Sequence, residues 1–265
     1  MDNLKEKKSF HQHLYDIGRK KRDEYYDSFK NKVDYVQVYD NAIPKKDCDY
    51  LIKQHNRLKT EGFCDKGQVM SKELNVSKKD LWLKNSHDIF LNKYIDVFSR
   101  TKKYSYLHKK VTNLFETLSA FVSDYIIKIG LGGHSFIGTG LYQYQNYFKE
   151  NKMDIPDYLN DLIGIGSVNL RKYDKNIGGY HSMHCDWGQN NLQRLCAVIL
   201  YLNTVEEGGE TIFPVIGRKI KPVDGRILIF PSFYTHMHYG EIATSSDRYI
   251  VASHVHYSNR DIIKK

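Results

Sequence analysis

The sequence predicts an α+β chain: a helical first half followed by a β-rich second half that reads as a sandwich, a jelly roll or a small barrel. Three features point there. Apolar residues recur at helical spacing through Cys48, Leu51, Ile52 and His55, and again from Leu107 to Ile129. From about residue 165 the texture changes to short β-prone runs. Turn residues such as Asn203, Gly208-Gly209, Gly217, Asp224-Gly225 and Pro231 punctuate those runs at close intervals.

Taken in order, residues 1–32 are polar and charged, with Phe10, Leu14, Ile17 and Tyr25 spaced for a weakly amphipathic helix, so they are expected to form a helical extension. The remainder, 33–265, is expected to be one domain, with supporting elements over 33–164 and a core over 165–257. Val33 to Tyr39 alternates as a strand. Asp40 to Pro44 is a turn, and a helix follows Pro44. Residues 60–80 read as loop. Two helices are expected next, Asp88 to Phe98 and Leu107 to Ile129, and Gly130-Leu131-Gly132-Gly133 stops the second. Strands are expected at 165–173, 179–184, 194–203, 210–213, 219–223, 226–230, 235–240 and 247–257. The tyrosine-rich stretches around Tyr104, Tyr106, Tyr142, Tyr144, Tyr147 and Phe148 read as helix packing, with a lid over the core as the alternative.

Composition removes whole classes of function. At 41% hydrophobic the chain is too apolar to be disordered. No run approaches the roughly 18 consecutive apolar residues of a membrane helix, and no signal-type segment follows Met1, so a cytoplasmic protein without membrane contact is expected. Four cysteines without a CxxC pair read as reduced thiols. The net charge of +9 lies mostly in residues 1–164, which hold 28 basic and 22 acidic residues. Its densest point, Arg19-Lys20-Lys21-Arg22, is surrounded by Asp16, Asp23, Glu24 and Asp27. That pattern favours a solvated helix face over a nucleic-acid contact.

The stretch that carries chemistry is Gly179 to Asp186. Alternate side chains of a strand share a face, so His184 and Asp186 turn toward one cavity while Cys185 turns away. A third ligand from another strand, His236 or His238, completes two imidazoles and a carboxylate, the pattern that holds non-haem Fe(II) with open positions. Arg248, opening a long apolar strand, suits two-pronged capture of a carboxylate. Tyr201, at the end of the run from Leu195, is placed to add a hydroxyl to the same carboxylate.

With those residues in view, the chain resembles the 2-oxoglutarate/Fe(II) dioxygenases of the prolyl 4-hydroxylase superfamily. The resemblance covers most of 165–257. It is carried by the ordered series Tyr173, His184/Asp186, Tyr201-Leu202-Asn203, Glu206 through Pro214, Lys221-Pro222, Gly225 through Phe230, His238-Tyr239-Gly240 and Arg248. Val36 to Leu51 also resembles that superfamily's leading strand and helix. The resemblance implies a double-stranded β-helix (jelly-roll) core, with helical N-terminal and middle segments packed on it. It implies Fe(II), 2-oxoglutarate and O2, with ascorbate as an accessory reductant, and release of succinate and CO2.

It also implies His184, Asp186 and His238 as metal ligands. His238 is preferred to His236 because the superfamily's histidine precedes x-Gly and lies about ten residues before the basic residue. Arg248 and Tyr201 would hold the far carboxylate of 2-oxoglutarate, and Tyr173 would lie near its chelating end. The carboxylate at Asp186 favours hydroxylation over halogenation. The implied substrate is a prolyl residue in a protein or peptide. A small molecule such as a free amino acid, or a nucleic acid, stands behind it, and a non-catalytic metal-binding barrel is the competing class. Tyr180 and His181 depart from the superfamily's commoner spacing.

Overall fold

The computed structural model describes Lys20 and residues 34–67, 69–70, 77–78, 83–129, 163–188 and 191–257. The chain divides into two compact units, Met1–Asp34 and Tyr35–Lys265, and every element below belongs to the second. The expected extension over 1–32 (Lys20, in a helix, apart), the glycine stop at 130–133 and the aromatic residues from Tyr142 to Phe148 lie outside the described residues.

Fifteen strands and three α-helices are described. Strand β1 (Gln37–Tyr39) leads through a turn to α1 (Lys45–Thr60). Pro44 caps α1 in an extended conformation, since its ring suits the edge of a helix and not its interior. Short strands β2 (Asp65–Lys66), β3 (Val69–Met70), β4 (Ser77–Lys78), β5 (Lys84–Asn85) and β6 (His87–Phe90) follow. Then come α2 (Leu91–Arg100), a single 3-10 turn (Lys102–Tyr104) and α3 (Ser105–Lys128). The second half is β7 (Ile163–Ile165), β8 (Asn169–Tyr173), β9 (Gly179–His184), β10 (Arg194–Tyr201), β11 (Thr211–Phe213), β12 (Arg218–Ile220), β13 (Ile227–Pro231), β14 (His238–Gly240) and β15 (Arg248–Tyr257).

Two antiparallel sheets face each other. One runs β1-β13-β10-β15-β8-β6-β2, with β7 also paired to β15; the other runs β12-β11-β14-β9-β5. From β8 onward the chain crosses between them, with β8, β10, β13 and β15 in the larger sheet and β9, β11, β12 and β14 in the smaller. That alternation is the double-stranded β-helix arrangement. The apolar core lies between the sheets, around Tyr201, Phe213, Leu228, Phe230 and Ile250. Phe213 and Phe230 meet there edge to face, with centroids 4.9 Å apart.

The helices back the larger sheet. On α1, Cys48, Leu51, His55 and Leu58 are buried. Nε2 of His55 lies 3.1 Å from the His87 carbonyl of β6, and the Tyr249 hydroxyl of β15 donates to Asn56 at 3.1 Å. The buried stripe of α3, Leu107, Val111, Leu114, Leu118, Val122 and Tyr125, has the spacing expected from the sequence. Tyr104 packs with Phe63 and Phe98, at centroid distances of 5.8 and 5.3 Å, as helix packing and not as a lid. No described helix is long and apolar enough to cross a membrane.

Three expectations are corrected. Residues 60–80 are not loop throughout, since Asp65–Lys66, Val69–Met70 and Ser77–Lys78 are short paired strands. Asp88 to Phe98 is not one helix: His87–Phe90 is a strand paired with β8, and helix begins only at Leu91. The helical apolar spacing is outweighed by the ladder that β8 offers and by the buried ion pairs of Asp88. Residues 235–240 are not one strand either, because Tyr234–His236 form a 3-10 turn and only His238–Gly240 pair.

Because Phe230 is fully buried between the sheets, Phe230→Ala should cost about 3–5 kcal/mol of stability in urea unfolding. The exposed Val215 offers a control: Val215→Ala should stay within about 0.5 kcal/mol.

Candidate active site

Three side chains converge at one end of the smaller sheet. His184 ends β9, Asp186 follows two residues later in a bend, and His238 opens β14. His184 and His238 are directly paired across the antiparallel ladder, so both imidazoles leave the same face. Asp186 Oδ1 lies 3.9 Å from His184 Nε2, and Oδ2 lies 3.7 Å from His238 Nε2. One donor atom from each of the three lies within 4.8 Å of the others.

The tautomers suit a cation. His184 Nδ1 is 2.8 Å from the Ser182 carbonyl, and His238 Nδ1 is 3.0 Å from the His236 carbonyl. A carbonyl only accepts, so Nδ1 carries the proton in each ring and Nε2 offers its lone pair. Burial, reinforced by His238 alongside, pushes His184 down to about 4, which keeps it neutral near pH 7. Burial works to raise the Asp186 pKa, yet His254, His238 and His184 together hold the carboxylate below its usual range. Two imidazoles that turn Nε2 inward and an ionised carboxylate are the donor chemistry that a divalent iron takes.

The surroundings position these groups. The Tyr180 ring stacks on His184 at 3.7 Å, and Phe230 and Phe213 pack against His238 at 4.7 and 5.6 Å. His254, on β15 of the opposite sheet, places Nε2 3.1 Å from Asp186 Oδ1. This partner of Asp186 was not assigned from the sequence. Its one signal there is the six-residue separation from Arg248, an even number that puts both on one face of a strand.

Arg248 opens β15 and is buried. Its Nη1 donates to the Gly209 carbonyl, and its guanidinium lies 4.4 Å from the Tyr173 ring centroid. Gly208 and Gly209 both have positive φ, 71° and 78°, which only glycine adopts without strain. A Cβ on Gly208 would collide with the Ile242 carbonyl, so this pair lets the chain turn and deliver the Gly209 carbonyl. Gly240 has an equally local reason: a Cβ there would lie 2.8 Å from Arg248 Nη2. Tyr201 is fully buried, and its hydroxyl shares a 2.6 Å hydrogen bond with Thr211.

The structure thus brings His184, Asp186 and His238 into one cluster, and Arg248, Tyr173 and Tyr201 into the core beside it. His236 stands apart. Its Nδ1 meets Thr235 Oγ1 at 2.9 Å, and its ring borders an apolar cavity of about 220 Å³ with Tyr35, Tyr125 and Phe233. That cavity does not contain the His184 cluster, so it is not where the donors converge. What His236 lends the cluster is its backbone carbonyl. His256 shares the face of His254 but pairs across the ladder with Arg194.

Residues 168–256 match the family model of the 2OG-Fe(II) oxygenase superfamily. This segment is a 2OG-Fe(II) oxygenase domain. The superfamily works with Fe(II), 2-oxoglutarate and O2, and the donors in the domain fit such an iron. Over 89 residues the chain is 34% identical to "Probable prolyl 4-hydroxylase 9" of Arabidopsis thaliana, covering 26% of this chain and 30% of that protein. The chain spans about 30% of the length of the curated relatives it matches. Among solved structures, a prolyl hydroxylase from Trichoplax adhaerens, in complex with a hypoxia inducible factor oxygen degradation domain peptide fragment, superposes with TM-score 0.58 at 16% identity, covering 95% of this chain and 96% of its own. A Pseudomonas putida prolyl-4-hydroxylase superposes with TM-score 0.51 at 11% identity, covering 83% and 91%. These likenesses establish that the oxygenase domain sits in a shared jelly-roll fold.

The depressed His184 carries a pH signature. Between about 4 and the ordinary value of 6.5, the unfolded histidine binds a proton that the folded one refuses. Metal-free protein should therefore lose stability as pH falls from about 6.5 toward 4, in thermal melts taken across that range. His184→Gln should lessen the loss, part of which remains with His256, likewise pushed down to about 4 by burial.

Proposed function

We propose that the chain is an Fe(II)/2-oxoglutarate-dependent dioxygenase that hydroxylates an unactivated C–H bond, acting in the manner of a prolyl 4-hydroxylase on a protein or peptide. The observation that carries this reading is the convergence of His184, Asp186 and His238 beside a buried arginine, Arg248, which has no carboxylate partner among the described residues. In this reading the three residues hold Fe(II) through Nε2, Nε2 and a carboxylate oxygen. When bound, the iron would supply the redox chemistry that links O2 to loss of CO2 from the keto acid and to oxidation of the substrate.

The protein's own groups do the rest. Arg248 would offer a fixed cation to the far carboxylate of 2-oxoglutarate, and the Tyr201 hydroxyl, held by Thr211, would add a second contact to it. Tyr173 lies under the arginine, toward the chelating end. Phe213 and Phe230 keep water from the His238 side. A peptide partner is supported by the apolar rim: Met183 and Trp187, which flank the two donors of the β9 end, are 54% and 36% exposed, and Tyr234 is 69% exposed. It accords too with the peptide bound in the Trichoplax prolyl hydroxylase of the same fold. Ascorbate enters as an accessory reductant.

The test is succinate release from 2-oxoglutarate under Fe(II), ascorbate and O2, with and without proline-containing peptides. His184→Ala and Asp186→Ala should abolish it; full activity in either variant rejects the ligand set. His238→Ala should remove metal binding, whereas His236→Ala should keep it, because a backbone carbonyl survives the substitution. Arg248→Ala should weaken 2-oxoglutarate about 10- to 100-fold, the worth of a lost charge-assisted contact, while metal affinity stays.

A further inference from the structure

The barrel interior carries a second arginine. Across the smaller sheet, Gly240, Tyr180 and Lys84 are paired in one row. Across the larger sheet, Ile250, Arg171 and Asp88 are paired in a row of their own. The rows join where Lys84 Nζ meets Asp88 Oδ2 at 2.8 Å. Arg171 Nε meets Asp88 Oδ1 at 2.7 Å, and Ser86 donates to the same oxygen at 2.8 Å. Asp88 is 1% exposed and Lys84 5%, so this is a buried group of two cations on one carboxylate. Arg171 is not used up by Asp88. Its Nη1 lies 3.4 Å from the Tyr173 hydroxyl, and its Nη2 has no hydrogen-bond partner among the described residues. Asn169, two residues before it on the same face of β8, has a buried Oδ1 with no partner.

Charge arithmetic shows what this surplus calls for. Among the described residues, the interior cations are Lys84, Arg171 and Arg248, and the interior anions are Asp88 and Asp186. A divalent metal and doubly charged 2-oxoglutarate cancel each other, so loading both leaves one positive charge over. Arg194, whose Nη1 holds the Asp186 carbonyl at 3.3 Å, adds to the excess and does not relieve it. An uncompensated buried charge is costly and is tolerated where a counter-charge arrives.

We propose that Arg171, with Lys84 and Asn169 beside it, forms a second anion subsite, separate from Arg248, and that it takes a carboxylate of the substrate. The inference rests on the oxygenase reading above and narrows its substrate class: the reactive group is presented by a molecule or chain segment that carries a carboxylate close to it.

The test uses the full chain with Mn(II) and 2-oxoglutarate bound, titrated calorimetrically with N-acetyl-L-proline and with its uncharged amide. The wild type should prefer the acid about tenfold or more, as expected for one charge-assisted contact. Arg171→Met should erase the preference and leave 2-oxoglutarate affinity unchanged; it leaves Lys84 and Asp88 as a balanced pair, so the fold is retained. Arg171→Lys should restore part of the preference. Lys84→Met, which removes the same surplus charge but keeps the Arg171–Asp88 pair, should weaken it also and keeps the test open if Arg171→Met fails to fold. An equal affinity for acid and amide in the wild type overturns the proposal. So does a preference that survives both methionine variants, or a loss of 2-oxoglutarate affinity in place of the acid preference. If the wild type binds neither Mn(II) nor 2-oxoglutarate, it is the oxygenase reading itself that fails, a result distinct from all of these.

Discussion

His184 and His238 face each other because β9 and β14 pair antiparallel with those two residues in register. Everything at the site depends on that pairing. A strand slip of one residue would turn every side chain of β9 to the other face and carry His184 out of the interior. The interface between the sheets resists such a slip, since Phe213 and Phe230 fill the space beside His238. The third donor is freed from the ladder by the bend after His184, so Asp186 can swing toward both rings. His254, reaching from the larger sheet, holds it there.

The interior is divided by chemistry. On the side of β10, β11 and β13 it is aromatic and aliphatic, crossed by the Tyr201–Thr211 hydrogen bond. On the side of β5, β6, β8 and β9 it is polar, with Lys84 and Arg171 both bonded to Asp88 and the Tyr180 ring between Lys84 and His184. The burial of these charges sets their protonation. Burial pushes Lys84 down to about 8, with Arg171 adding to the push. Burial acts the opposite way on Asp88, but Arg171 and Lys84 keep it ionised.

Much of this was legible in residue order. The turn before Pro44, the stripe of α3, and the strands at 179–184 and 248–257 follow from local spacing and turn chemistry that burial does not overrule. The glycines were legible as punctuation, but not the reason for each: Gly240 matters because Arg248 passes over it, and Gly208 because Ile242 lies against it. The misread segment at 88–98 shows where local pattern loses. Its apolar spacing suits a helix, yet Asp88 gains two buried cations and β6 gains a ladder partner only as a strand. His236 shows the same limit, since two histidines at i, i+2 share a face only if the chain between them is extended, and here a 3-10 turn intervenes.

By itself the sequence determined the types of donor and their order along the chain, because HxD, HxG and the late arginine are local patterns read without knowing what lies opposite. It also determined the change from helical to β texture, which follows from periodicity. Only the tertiary structure decided the pairing of His184 with His238, the grip of His254 on Asp186, and the meeting of Lys84, Asp88 and Arg171. Each of these joins residues on different strands or different sheets, and sheet pairing is set by the burial of whole faces and the satisfaction of backbone hydrogen bonds, not by any short stretch of residues.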